Sequence, residues 1–141
     1  MMQNVDNWET FVNEHLLQFG VVDGLLLITK RGEAVYSQGK LSAVERKYTE
    51  QFVNIFNAST SEQETAFCCK GFDLEDDRGK MNHFTIYHKT FCSVYCTSEH
   101  NKKGLIVCNL PYSVLIASYP CGQTNTEVIR IVENACKILR M

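Results

Sequence analysis

Apolar and aromatic residues recur at helical spacing in three stretches of the chain. Trp8, Phe11, Val12, Leu16 and Phe19 fall at steps of three and four, which predicts a helix over Asp6 to Phe19 with one aromatic-rich face. Val44, Tyr48, Phe52, Ile55 and Phe56 predict a second helix, Ser42 to Phe56, followed by a polar loop from Asn57 to Glu64. Val128, Ile131, Val132, Ala135, Ile138 and Leu139 predict a third, from Asn125 to Met141. Each has a start signal: Asp6 with Glu9, Ser42 with Glu45 and Thr124 with Glu127 place a capping oxygen three residues before a glutamate.

Between these stretches the pattern changes to short apolar runs. Val21 to Thr29 and Ala34 to Gln38, joined by the Gly-containing Lys30 to Glu33, read as a hairpin. Ala66 to Cys69, Phe84 to His88, Phe91 to Thr97, Gly104 to Asn109 and Ser113 to Ser118 are rich in aromatic and β-branched residues and bring the total to about seven strands. The charged stretch Asp73 to Asn82, with Glu75, Asp76, Asp77 and Arg78, reads as a surface loop. This order predicts an α/β (α+β) sandwich: a mostly antiparallel central sheet, the N- and C-terminal helices on one face and a further helix on the other. No repeat, linker or low-complexity tract divides residues 1–141, so a single domain is expected.

Composition narrows the function classes. With 141 residues, 45% of them hydrophobic, one domain can bury a core without staples. A net charge of −2, from 14 basic and 16 acidic residues, predicts neither nucleic-acid binding nor adhesion to acidic membranes. No apolar stretch is long enough to span a bilayer and no secretory signal opens the chain, so a cytoplasmic protein with reduced thiols is expected.

The seven cysteines include no C-x-x-C pair. Cys68, Cys69, Cys92 and Cys96, the last two on one side of a predicted strand, lie near His83, His88 and His100, yet read as buried apolar thiols and not as a metal site. Cys121, before a helix start, is the thiol expected to be exposed and reactive. There is no phosphate loop, nucleophile elbow or H-E-x-x-H helix, which argues against an enzyme, and no cofactor is expected.

Several segments taken in order resemble profilins. They are Asn7-Trp8-Glu9-Thr10-Phe11-Val12, Gly32-Glu33-Ala34-Val35-Tyr36-Ser37, Gly104-Leu105-Ile106-Val107 through Val114-Leu115-Ile116-Ala117, and Ile131-Val132-Glu133. The resemblance implies a monomeric regulator of the cytoskeleton that binds proline-rich segments between its terminal helices, actin monomers on another face, and phosphoinositides through basic residues. For the proline site it points to Trp8 and Phe11, to Tyr36 where the family usually supplies a tryptophan, and to Ile138 and Leu139 in place of a missing C-terminal aromatic. Flat aromatic faces suit a preformed proline helix, which loses little entropy on docking.

For actin the resemblance points to Lys89, Lys102, Lys103, Arg130 and Glu133. The last helix begins with Val128 and Ile129, so weak or lost actin binding is expected. An alternative from another class is a roadblock- or longin-type dimeric trafficking adaptor, which shares the coarse arrangement.

Overall fold

The computed structural model describes residues 8–76, 78–98, 102–120 and 125–141. Seven strands form one antiparallel sheet in the order β2-β1-β7-β6-β5-β4-β3. They are β1 (Gly24–Thr29), β2 (Ala34–Gly39), β3 (Phe72–Glu75), β4 (Met81–Lys89), β5 (Ser93–Ser98), β6 (Lys103–Asn109) and β7 (Ser113–Pro120). The helices are α1 (Trp8–His15), extended by a 3-10 turn at Leu17–Phe19, then α2 (Arg46–Asn54), α3 (Ser61–Lys70) and α4 (Asn125–Leu139).

The central strands read as continuous apolar runs because both of their faces are covered. Leu25 and Leu27 of β1, Ile106 and Cys108 of β6, and Leu115, Ala117 and Tyr119 of β7 pack with α1 and α4 through Phe11, Val12, Val128, Ile131, Val132, Ala135, Cys136 and Leu139. The alternate residues Leu26, Ile28, Leu105, Val107, Val114 and Ile116 pack against Phe52, Val53 and Ile55 at α2. Side chains alternate along a strand, so one run serves two cores. The terminal helices therefore share one face, and α2 and α3 share the other.

Three expectations need correction. Ala66 to Cys69 is not a strand; it lies in α3, which starts where Thr60 accepts a hydrogen bond from the Gln63 amide at 3.0 Å. That helix consumes the end of the expected Asn57 to Glu64 loop. It stops at Gly71, whose φ of 71° releases the chain into β3. The charged stretch Asp73 to Asn82 is strand at both ends: β3 runs to Glu75 with Phe72 and Leu74 buried, and β4 begins at Met81. The open edge of β3 is met by Gln51 of α2, whose amide donates to the Asp73 carbonyl at 2.7 Å and accepts from its N–H at 3.0 Å.

The third correction concerns α2, which starts after Glu45 with no side-chain cap, while Ser42 belongs to a turn in which its N–H meets the Gly39 carbonyl. The caps expected at Asp6 and Thr124 lie outside the described residues.

Candidate functional site

The structure gathers all five residues of the expected proline site onto one apolar cluster. Trp8 and Phe11, on the first two turns of α1, meet edge to face with ring centroids 6.0 Å apart, and His15 lies over Phe11 at 4.5 Å. Tyr36 stands opposite Leu27 in the β1–β2 ladder and so projects to the terminal-helix side. Burial first, and then the charge of the Glu9 carboxylate on α1, push its phenol above the ordinary value. Ile138, near the end of α4, packs on the same cluster.

Their exposures divide the five by role. Trp8, Tyr36 and Ile138 are half-buried and keep open surface, whereas Phe11 at 8% and Leu139 at 1% exposure form the layer beneath. Together they give the terminal-helix side of the fold a partly open aromatic and aliphatic surface, with an indole N–H and a phenol that can donate hydrogen bonds to carbonyls.

The residues expected to meet actin do not form one patch. Arg130 is exposed on α4. Glu133, also on α4, accepts a hydrogen bond from the Tyr95 hydroxyl and lies 3.8 Å from Arg140. Lys89 points to the opposite side of the sheet, where its ammonium meets Glu64 of α3 at 3.1 Å and sits over the Phe56 ring. A β-bulge between Ile86 and His88 turns it there: His88 pairs with Tyr95 and Lys89 with Val94, so an extra residue reverses the alternation. Lys103 lies on the same opposite side, beside Leu105 and Asp76, and Lys102 is exposed just before β6.

Sequence reasoning missed what β4 and β5 present beside α4. His83, bonded to Asp73 at 2.7 Å, and Thr85, Tyr87 and His88 are exposed there. Tyr95 stacks on His88 at 5.4 Å and meets Tyr87 at 6.3 Å. Desolvation first, then the hydrogen bond to Glu133, pushes the Tyr95 phenol far above its usual value. The alternation of polar and apolar residues from His83 to Ile86 was the available signal.

The cysteines and histidines named together in the sequence are dispersed. Cys96 is buried beneath α2 and α3, while Cys92 precedes β5 in an exposed turn, so they do not share a strand face. His100 and Cys121 lie outside the described residues. Among the described residues no helix is long and apolar enough to cross a membrane.

The family model for Profilin matches residues 6–141. Profilin IA of Acanthamoeba castellanii superposes with a TM-score of 0.75 at 21% identity, covering 95% of this chain and 97% of that one. LokiProfilin1, solved in complex with rabbit actin, gives 0.67 at 17% identity, with 94% and 93% covered. Mouse profilin IIa, solved with a double repeat from the FH1 domain of mDia1, gives 0.67 at 11% identity, with 95% and 96% covered. No curated protein matches the chain by sequence.

Proposed function

The chain belongs to the profilin family, and we propose that it is a cytoplasmic, non-enzymatic and monomeric cytoskeletal regulator that binds proline-rich segments in a groove between its terminal helices. The observation that carries this reading is the convergence of Trp8, Phe11, Tyr36, Ile138 and Leu139 on one cluster with Trp8 and Tyr36 left partly open. A proline-rich helix brings rigid pyrrolidine faces and carbonyl acceptors but few donors. A site for it needs flat aromatic surface and N–H or O–H groups, which Trp8 and Tyr36 supply. Mouse profilin IIa, of the same fold, was solved with a double repeat from the FH1 domain of mDia1, and that complex supports a peptide-binding reading. Titration with a proline-rich peptide tests it: a saturable change in tryptophan emission is expected, and none at millimolar peptide overturns it.

Within this reading we take residues 1–141 as one domain and assign weak or absent sequestration of actin monomers. The sheet surface beside α4 carries Asp73, His83, Thr85, Tyr87, His88 and Thr97, while Lys89 and Lys103 face away from it. Arg130 is left as a cation on α4 near Glu133. An actin assembly assay decides: little inhibition of filament growth is expected, and strong, saturable inhibition lost in Arg130→Ala overturns the assignment. Phosphoinositides are a further proposed ligand, to be met by exposed cations such as Arg130 and Lys102, and vesicles with and without the lipid test it by co-sedimentation.

A further inference from the structure

Two thiols meet where α4 packs on the sheet. Cys108 of β6 and Cys136 of α4 are both fully buried in the core under the terminal helices. The helix is anchored on either side of Cys136. On one side Glu133 accepts a hydrogen bond from the Tyr95 hydroxyl of β5. On the other, the Arg140 guanidinium donates to the carbonyl of Asn109, the residue after Cys108, at 3.0 and 3.2 Å, and to that of Cys92 at 3.1 Å. Residues 136 and 140 share a helix face, so the anchor on Asn109 sets Cys136 over Cys108. Cα atoms of α4 and β6 accordingly come within 8 Å of one another.

The polar contacts of the pair join the two sulfurs. Ser93, opposite Cys108 in the β5–β6 ladder and itself buried, donates its hydroxyl to Cys108 Sγ at 3.8 Å. The Cys108 thiol is hydrogen-bonded to that of Cys136, and this bond first, then burial, pushes it well above the usual value for a cysteine. In the closed fold Cys108 is therefore held as the thiol and reacts slowly. Cys96, which is also buried, packs in the core on the opposite face of the sheet, and Cys69 and Cys92 are exposed.

We propose that Cys108 and Cys136 are a site of oxidative modification, at which a peroxide joins them in a disulfide between β6 and α4. One sulfur attacks a peroxide oxygen: an S–O bond forms, the O–O bond breaks, and the thiol proton leaves with the departing oxygen as water. The second sulfur attacks the sulfenic sulfur, so that the S–S bond forms, the S–O bond breaks and a second water carries off the remaining proton. The thiols are oxidised by two electrons and the peroxide is reduced to water. Opening of the last turns of α4 admits the small oxidant, and reclosure returns the partner thiol to the sulfenic sulfur. The link closes a loop of about 28 residues, which restricts the unfolded chain and holds the helix end that carries Ile138 and Leu139.

Hydrogen peroxide added to the whole folded chain tests this, with remaining thiols trapped by alkylation in denaturant and the digest mapped without reductant. A peptide joining Cys108 to Cys136, lighter by the two hydrogens lost, is expected. Tm should rise by up to about 10 °C and return to its starting value with dithiothreitol. Cys136→Ala given the same treatment should show no such rise, and the reversal by dithiothreitol in the parent keeps the test decisive if that variant folds poorly. In urea, where nothing holds the two sulfurs together, the same peroxide should scatter links among the seven cysteines. The proposal is overturned if Cys108 and Cys136 are still thiols after the amides of residues 136–140 have exchanged fully with deuterium. It is also overturned if either is joined to another cysteine in the fold, if the pairing in urea is the same, or if the link between them lowers Tm. These outcomes are separate from any at Trp8, so failure here leaves the proline-site reading intact.

Discussion

Replacing Gly104 by alanine should be among the most damaging single-methyl changes available in the chain. Gly104 stands directly opposite Tyr119 in the β6–β7 ladder, and the Tyr119 ring lies across the space where a Cβ would go. An added Cβ would fall within 3.0 Å of three atoms at the far end of that ring, closer than real Cβ atoms pack. Tyr119 is 1% exposed and packs in the terminal-helix core. If the core strains around the methyl the cost is about 1–3 kcal/mol, and if the ring is expelled the lost burial is about 1.5–3 kcal/mol.

We therefore expect Gly104→Ala to destabilise by about 3 kcal/mol, or roughly 10 °C in Tm for a domain of this size. Urea unfolding of Gly104→Ala, Tyr119→Leu and the double variant would isolate the clash. With leucine at 119 the ring is gone, and the extra methyl should cost under about 1 kcal/mol, leaving a coupling of about 2 kcal/mol. A single variant within about 1 kcal/mol of the parent, or an equal cost in both backgrounds, would refute the steric reasoning.

Two further outcomes follow from the burial and charge around α4 and the thiols. The Tyr95 phenol, raised by burial and by Glu133, should stay protonated in the fold where a free tyrosine ionises near pH 10. The Tyr95 contribution to stability should thus be complete below about pH 10 and be lost as the unfolded chain gives up that proton above it, and Glu133→Gln should make this part of the loss smaller. Ultraviolet titration with urea unfolding at pH 9 and 11 checks this, and ionisation of Tyr95 in the fold near pH 10 contradicts it. Alkylation of the native protein should label the exposed Cys69 and Cys92 well before the buried Cys96, Cys108 and Cys136. Peptide mapping reads the order, and early labelling of Cys108 or Cys136 contradicts the packing of α4 on β6.

Elements with a strong, long period were legible in the sequence, and elements decided by a few residues were not. The faces of α1 and α4 follow from apolar steps of three and four. The runs in β1, β6 and β7 follow from strands covered on both sides. The helix α3 was misread because Phe67, Cys68 and Cys69 favour strands in isolation, while the decisive Thr60 cap lies several residues upstream. The strand β3 was hidden because two buried residues, Phe72 and Leu74, alternate with two acids at the edge of a charged stretch.

For the site, the aromatic cluster was readable because Trp8 and Phe11 share a helix face and Tyr36 follows the strand alternation. Which side the lysines face was not readable. The bulge at Ile86/His88 reverses the direction of Lys89, and no residue type in that segment announces it.

Trp8 is the side chain on which the proposed peptide site turns. The chain has one tryptophan, so its emission reports from the proposed site itself. The deciding measurement is the affinity of a proline-rich peptide for the parent and for a folded Trp8→Ala variant, read for both by calorimetry and for the parent also by fluorescence. Removing a central aromatic anchor should cost about 2 kcal/mol or more, roughly a 30-fold loss of affinity, while Lys102→Ala should change little. Equal peptide binding by the parent and by Trp8→Ala would contradict the account and leave Trp8 as a side chain that only seals the terminal helices together.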